Sequence, residues 1–89
     1  MEEALGWCAE RGICAVATAA DAPSAHTELD WTRPRAVVVG PEAGGLSAEE
    51  TRAAGDAVRI PMREPVESLN LATALAVILY EAARQRRFP

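Results

Sequence analysis

Two short stretches hold the side chains best suited to chemistry, and each lies where a strand gives way to a loop and then to a helix. One is Gly40-Pro41-Glu42-Ala43-Gly44-Gly45-Leu46-Ser47; the other is residues 59–70, Arg-Ile-Pro-Met-Arg-Glu-Pro-Val-Glu-Ser-Leu-Asn. Such junctions leave backbone N–H and C=O groups at the carboxyl ends of strands, where α/β proteins bind their ligands. In the second stretch Ser68 is a natural N-cap for the helix that follows. Asn70, a middling helix former, falls in that helix's first turn, beside free N–H groups that attract anions or carbonyls. Glu42 is the acid of the first stretch, and its plain alternative is a solvated loop carboxylate.

Several familiar chemistries are excluded by the same residues. The first stretch is one residue short of a P-loop, Leu46 stands where the phosphate-binding lysine belongs, and Glu42 would repel phosphate. No G-x-G-x-x-G occurs, so a dinucleotide fingerprint is absent. Cys8 and Cys14 have neither a second cysteine pair nor a histidine cluster, which fits neither a metal site nor a disulfide framework; reduced, partly buried thiols are expected. His26 is alone in a polar loop and is expected at the surface. Trp7 and Trp31 read as partial core or interface aromatics. Arg84, Arg86 and Arg87 read as a solvated helix end, with phosphate contact as the sharper alternative.

The elements that must position these groups follow from the pattern. Ala4 to Arg11, stopped by Gly12, predicts a helix. Residues 13–18, Ile-Cys-Ala-Val-Ala-Thr, form an apolar run without alternation, as in a strand covered on both faces. Residues 19–34 carry turn residues and read as loop. Residues 36–39 are the clearest strand, and Ser47 caps a helix over 48–54 with acids in its first turn. Residues 57–60 make a third strand, stopped by Pro61. A final helix spans 69–86, apolar nearly all round in its middle and therefore expected to be buried on most of its surface, within a layered domain or between subunits. Strands separated by helices predict an α/β fold with a partial, mainly parallel sheet and flanking helices.

The 89 residues, 49% of them hydrophobic, allow one small domain spanning 1–89. All nine basic residues are Arg, and the net charge is −4. Residues 1–50 hold nine acids against three Arg, whereas residues 51–89 hold four acids against six Arg, so only the second half presents a favourable field to phosphate. The acidic amino terminus lacks the character of a signal peptide, and the apolar stretch 71–80 is shorter than the roughly 20 residues a bilayer span needs. A cytoplasmic protein, with neither membrane nor metal as partner, is expected.

The order and spacing of Val-Val-Val-Gly-Pro-Glu-Ala-Gly-Gly-Leu-Ser, Val-Arg-Ile-Pro-Met, Glu-Ser-Leu-Asn-Leu-Ala and Leu-Tyr-Glu-Ala-Ala-Arg-Gln-Arg resemble the SpoU/TrmH family of RNA ribose methyltransferases. The resemblance runs over residues 4–87 and is strongest from 36 to 87. It implies an S-adenosylmethionine site within a carboxyl-terminal trefoil knot, an exception to the rule against knots. By resemblance the cofactor lies against backbone at Gly40, Ile60 and Leu69, with Met62 shaping the pocket. Asn70 and Glu42 are then implied to hold the active loops and the reacting ribose or cofactor, and Ser68 to contact the target phosphate or a helper arginine. RNA, either rRNA or tRNA, is the implied substrate, and a homodimer formed through the final helix the implied assembly.

Two departures from the family pattern stand out. Pro41 occupies a position usually held by Asn or a small residue, which stiffens the loop. The family's first motif, with the arginine assigned to activate the ribose hydroxyl, has no counterpart, and none of Arg11, Arg33 or Arg35 lies in a matching context. The chain is therefore expected to be the carboxyl-terminal part of such a catalytic domain. The alternative is a non-catalytic remnant that binds cofactor or dimerises.

Overall fold

The structure, a computed structural model, describes residues 2–40, 46–62 and 70–87. Helix α1 (Glu2–Glu10) begins with two acids in its first turn, where they complement the helix dipole. It ends in a Schellman motif: Ile13 N–H donates to Cys8 C=O at 2.9 Å and Gly12 N–H to Ala9 C=O at 3.3 Å. That turn needs a left-handed residue, and Gly12 supplies it with φ of 67°.

Three strands follow, β1 (Cys14–Thr18), β2 (Arg35–Val38) and β3 (Asp56–Val58), in the spatial order β2-β1-β3. Both pairings are parallel, with Val16 beside Val37 and Asp56. Helix α2 (Ala48–Ala53) opens with a reciprocal cap. Glu50 N–H donates to Ser47 Oγ and Ser47 N–H to the Glu50 carboxylate, each at 3.0 Å. Helix α3 (Leu71–Arg87) closes the fold. The expected α/β class with a small parallel sheet and flanking helices is thus present.

Side-chain alternation along β1 divides the core into two layers. Val16 points into a cluster with Trp31, Val58 and Ile78 of α3, joined by Leu29, Val37 and Ile60. Ala15 and Ala17 meet Ala54, Leu5 of α1, Leu46, Val38 and Ala57 on the other side. So α3 covers one face of the sheet while α1 and α2 lie on the other. Val16, Val58 and Ile78 are completely buried, each stabilising the fold by roughly 1.5–3 kcal/mol.

Several expectations need correction. The third strand ends at Val58 rather than at residue 60, because β1 turns away at Ala19, where Ala22 N–H closes a turn onto Ala19 C=O. Beyond that point Arg59 pairs only with Ala25, in an isolated bridge. The segment 19–34, read as loop, contains a 3-10 turn at His26–Glu28, stabilised by the Glu28 carboxylate accepting from Ala25 N–H at 2.8 Å. Helix α3 is covered along one stripe rather than on most of its surface: Leu79 is 61% and Tyr80 75% exposed. Trp31, at 2% exposure, is full core, while Trp7 stands out in solvent beneath the Arg11 guanidinium, 4.1 Å from its ring centre. Cys8 and Cys14 are free thiols, as expected. No helix among the described residues is long and apolar enough to cross a membrane.

Candidate functional site

Because all three strands run parallel, their carboxyl ends share one edge of the sheet. Gly40 follows β2 on that edge, and Ile60 and Met62 follow β3 on the other side of β1; all three are half-buried. The Ile60 side chain packs on the Val16 cluster, so the residue's backbone is what remains to meet a ligand. Among the described residues, no backbone hydrogen bond engages Gly40 or Ile60. Polar main-chain groups that have no partner among the described residues, in half-buried surroundings, suit a ligand that brings its own donors and acceptors.

Helix α3 runs against the strand direction. Near its carboxyl end, Arg86 Nε donates to Trp31 C=O at 2.9 Å and Nη2 to Arg33 C=O at 3.4 Å, just ahead of the start of β2. Its beginning, and with it Asn70, therefore lies toward the carboxyl edge of the sheet. There Asn70 is the cap: its Oδ1 accepts from Thr73 N–H at 2.8 Å and its C=O from Ala74 N–H at 2.9 Å. The expectation that Asn70 sits in the first turn of the helix is corrected accordingly, because the described helix starts at Leu71; Ser68, the expected cap, lies outside the described residues. With Oδ1 occupied by capping, the Asn70 amide N–H₂ has no partner among the described residues and can donate. Gly40, Ile60, Met62 and Asn70 are thus brought to one edge, while Glu42, Ser68 and Leu69 lie outside the described residues.

On the α3 face, a polar network that the sequence reading did not single out fixes this arrangement. Glu81 is 4% exposed. Its carboxylate accepts from Arg84 Nε at 2.7 Å, from Arg84 Nη2 at 2.9 Å and from Gln85 Nε2 at 2.8 Å. The Arg84 bonds, followed by that of Gln85, outweigh burial and hold the carboxyl down to about 2. Gln85 also donates to Leu29 C=O at 2.9 Å and accepts from Trp31 N–H at 2.7 Å. The arginines expected to face water are therefore partly engaged within the fold, Arg84 with Glu81 and Arg86 with the main chain of the preceding loop. An acid with Arg and Gln three and four residues on was a usable sequence signal.

His26, expected at the surface, is half-buried. Its N–H donates to Arg59 C=O at 2.8 Å, its C=O accepts from Trp31 Nε1 at 2.7 Å, and its Nδ1 is buried without a partner among the described residues. At the opposite, amino edge the first residues of the three strands meet. Arg35 Nη1 donates to Asp56 Oδ2 at 2.7 Å, and the Cys14 thiol approaches the same oxygen at 3.4 Å. Burial, reinforced by Asp56, pushes the Cys14 thiol above its ordinary value, so it remains protonated and is no nucleophile. Among the described residues no group of three or more His, Cys, Asp or Glu is placed to hold a metal.

Residues 1–80 match the family model described as the SpoU rRNA Methylase family. A tRNA (guanosine(18)-2'-O)-methyltransferase of Thermus thermophilus is 44% identical over 87 residues, covering 97% of this chain and 45% of the relative. A 23S rRNA (guanosine-2'-O-)-methyltransferase of Coxiella burnetii is 35% identical over 89 residues, covering all of this chain and 36% of the relative. Among solved structures, the SpoU methyltransferase AviRb of Streptomyces viridochromogenes in complex with AdoMet superposes with a TM-score of 0.87 at 34% identity, over 98% of this chain and 35% of that one. The chain spans less than half the length of each of these relatives. Family match, sequence identity and superposition agree over nearly the whole chain, which belongs to the SpoU rRNA methylase family.

Proposed function

We propose that this chain forms the methyl-donor-binding part of an S-adenosylmethionine-dependent RNA ribose 2'-O-methyltransferase. The observation that carries the reading is the carboxyl edge of the sheet, where the half-buried backbones of Gly40 and Ile60 flank β1 without hydrogen-bond partners among the described residues. It is supported by the likeness to an AdoMet complex and to enzymes named for 2'-O-methylation of tRNA and rRNA.

The residues present fit such a cofactor. Gly40 and Ile60 offer main-chain donors and acceptors for an adenine edge and an amino-acid moiety, Met62 an apolar wall, and Leu69 a further backbone contact. When bound, S-adenosylmethionine supplies an electrophilic methyl group. The protein's tasks are then to orient a ribose hydroxyl and to exclude water. Asn70, through its amide at the mouth of α3, and Glu42 hold the active loops and the reacting ribose or cofactor, and Ser68 contacts the target phosphate or a helper arginine. No residue of this chain is assigned the proton transfer from the hydroxyl.

The finer parts of the proposal are a carboxyl-terminal trefoil knot, a cytoplasmic setting, and a homodimer. The dimer reading is supported by an apolar stripe on α3 that the chain leaves exposed, Ala72, Ala76, Leu79, Tyr80 and Ala83. Isothermal titration of the folded chain with S-adenosylmethionine tests the central claim. A dissociation constant on the order of micromolar is expected, about −8 kcal/mol; the absence of binding by a cooperatively folded chain overturns it.

A further inference from the structure

The carboxyl edge poses a mechanical problem. Strand β3 is three residues long and pairs only with β1; the last ladder bond reaching it runs from Ala19 N–H to Val58 C=O at 3.0 Å. Past Val58 nothing in the sheet holds the chain, yet Ile60, two residues on, is the residue whose backbone the donor site uses.

What holds it is Arg59. Its N–H donates to Ser24 C=O at 2.9 Å and its C=O accepts from His26 N–H at 2.8 Å. Its guanidinium Nη1 donates to Ala22 C=O at 2.9 Å and to Pro23 C=O at 2.6 Å. One residue thus spends both main-chain groups and its side chain on the single segment 22–26. The two carbonyls converge on one nitrogen, so without a donor their oxygens would repel and the turn would open; a charged donor makes the stronger bond.

The same segment continues to Leu29 and Trp31, which Gln85 and Arg86 of α3 grip. Residues 22–31 are therefore a common mount for Ile60, through Arg59, and for the carboxyl end of α3, through Gln85 and Arg86, which fixes the helix against the same segment. The polar seam is not a second ligand site, since its groups are spent on one another.

We infer that Arg59 is a positioning residue for the methyl-donor site, acting through its clamp on Ala22 and Pro23 to preset the backbone of Ile60. The inference rests on the donor-binding reading proposed above. Replacing Arg59 by Met keeps the apolar stem and removes the donors, whereas Lys returns a cation able to reach the two carbonyls.

In R59M the dissociation constant for S-adenosylmethionine is expected to rise about tenfold, as when the binding-competent arrangement falls to about a tenth of the population. R59K should recover most of that loss. Hydrogen exchange on the ligand-free chain supplies the second readout, at a temperature where circular dichroism shows each variant folded. Protection of the His26 and Arg59 amides should fall by about tenfold or more in R59M while the amides of β1 stay protected, the pattern of a local opening.

Uniform loss of protection with an unchanged dissociation constant would make Arg59 merely structural and overturn the inference, as would unchanged protection at residues 26 and 59. If the unaltered chain binds no S-adenosylmethionine, the donor-binding reading fails and the inference with it. If the unaltered chain binds and R59M binds equally well, the inference alone fails.

Discussion

Asn70 has one observed job and one proposed, and two substitutions separate them. Its Oδ1 caps α3 through Thr73 N–H at 2.8 Å, while its amide N–H₂ is the donor that the proposed function assigns to the ligand. Asn70→Ala removes both. Loss of an exposed N-cap costs about 1 kcal/mol, which in a domain of this size lowers Tm by roughly 4–8 °C. Asn70→Ser keeps an oxygen of equal capping strength but no amide, so its Tm should stay within about 2 °C of the unaltered chain. Ligand affinity should divide differently. One neutral hydrogen bond is worth about 0.5–1.5 kcal/mol, so both variants should weaken S-adenosylmethionine binding by about 2- to 13-fold.

Thermal melts followed by circular dichroism, paired with calorimetric titration, read the two effects on the same samples. An unchanged Tm in Asn70→Ala would refute the cap, which is a statement about the fold alone. Full affinity in Asn70→Ser would refute the donor role and leave Asn70 as a cap only.

Other consequences follow from the described geometry. A β-carbon on Gly55 would lie 2.7 Å from Cys14 Sγ, so Gly55→Ala should force the thiol off Asp56 and cost about 1–3 kcal/mol; if the clash is the cause, adding Cys14→Ala must restore the urea midpoint. Glu81, held down to about 2 by Arg84 and then Gln85, adds stability that is fully present above the ordinary carboxyl value and is lost as pH falls toward about 2. Asp30, lowered chiefly by its hydrogen bonds with Thr32, acts in the same direction. Urea midpoints measured from neutral pH down to about pH 3 should therefore fall more steeply for the unaltered chain than for Glu81→Gln; parallel slopes would count against the network. If the proposed dimer forms through the exposed stripe of α3, Tyr80→Ser combined with Leu79→Ser should turn it into a monomer by light scattering without lowering Tm at the same chain concentration by more than the lost association explains.

The local signals of the fold were legible because each rests on neighbouring residues. Gly12 stops α1 since the left-handed turn favours glycine, and Ser47 with Glu50 forms a cap written in four consecutive positions. The apolar, β-branched runs at 13–18 and 36–39 located β1 and β2 to within one residue at each end. What escaped depends on distant partners. His26 is drawn inward by Arg59 and Trp31, and Glu81 is buried against a loop more than fifty positions earlier in the chain, through Gln85 and Leu29. Ser68 and Asn70 are equally good caps by type, so residue type alone does not choose between them. As for the site, the strand ends already located Gly40 and Ile60, but their roles came from resemblance, since a bare backbone group carries no sequence signature.

The apolar girth of α3 was read as burial on most sides, and the geometry of the sheet explains why one chain delivers only one. Three strands spaced about 4.8 Å apart make a platform about 10 Å wide, roughly the width of a single helix with its side chains. Such a platform can cover the stripe through Ile78 and Glu81 and no more. The opposite stripe, Ala72, Ala76, Leu79, Tyr80 and Ala83, has three alanines that would let a second helix approach closely, with Leu79 and Tyr80 as its larger contacts. The stripe begins at Ala72, within the first turn after Asn70, so a helix seated on it would lie beside the carboxyl edge of the sheet. Apolarity that looks surplus within one chain is therefore concentrated where an added helix would cover the outside of α3 and close over the carboxyl edge of the sheet, where the donor site is proposed.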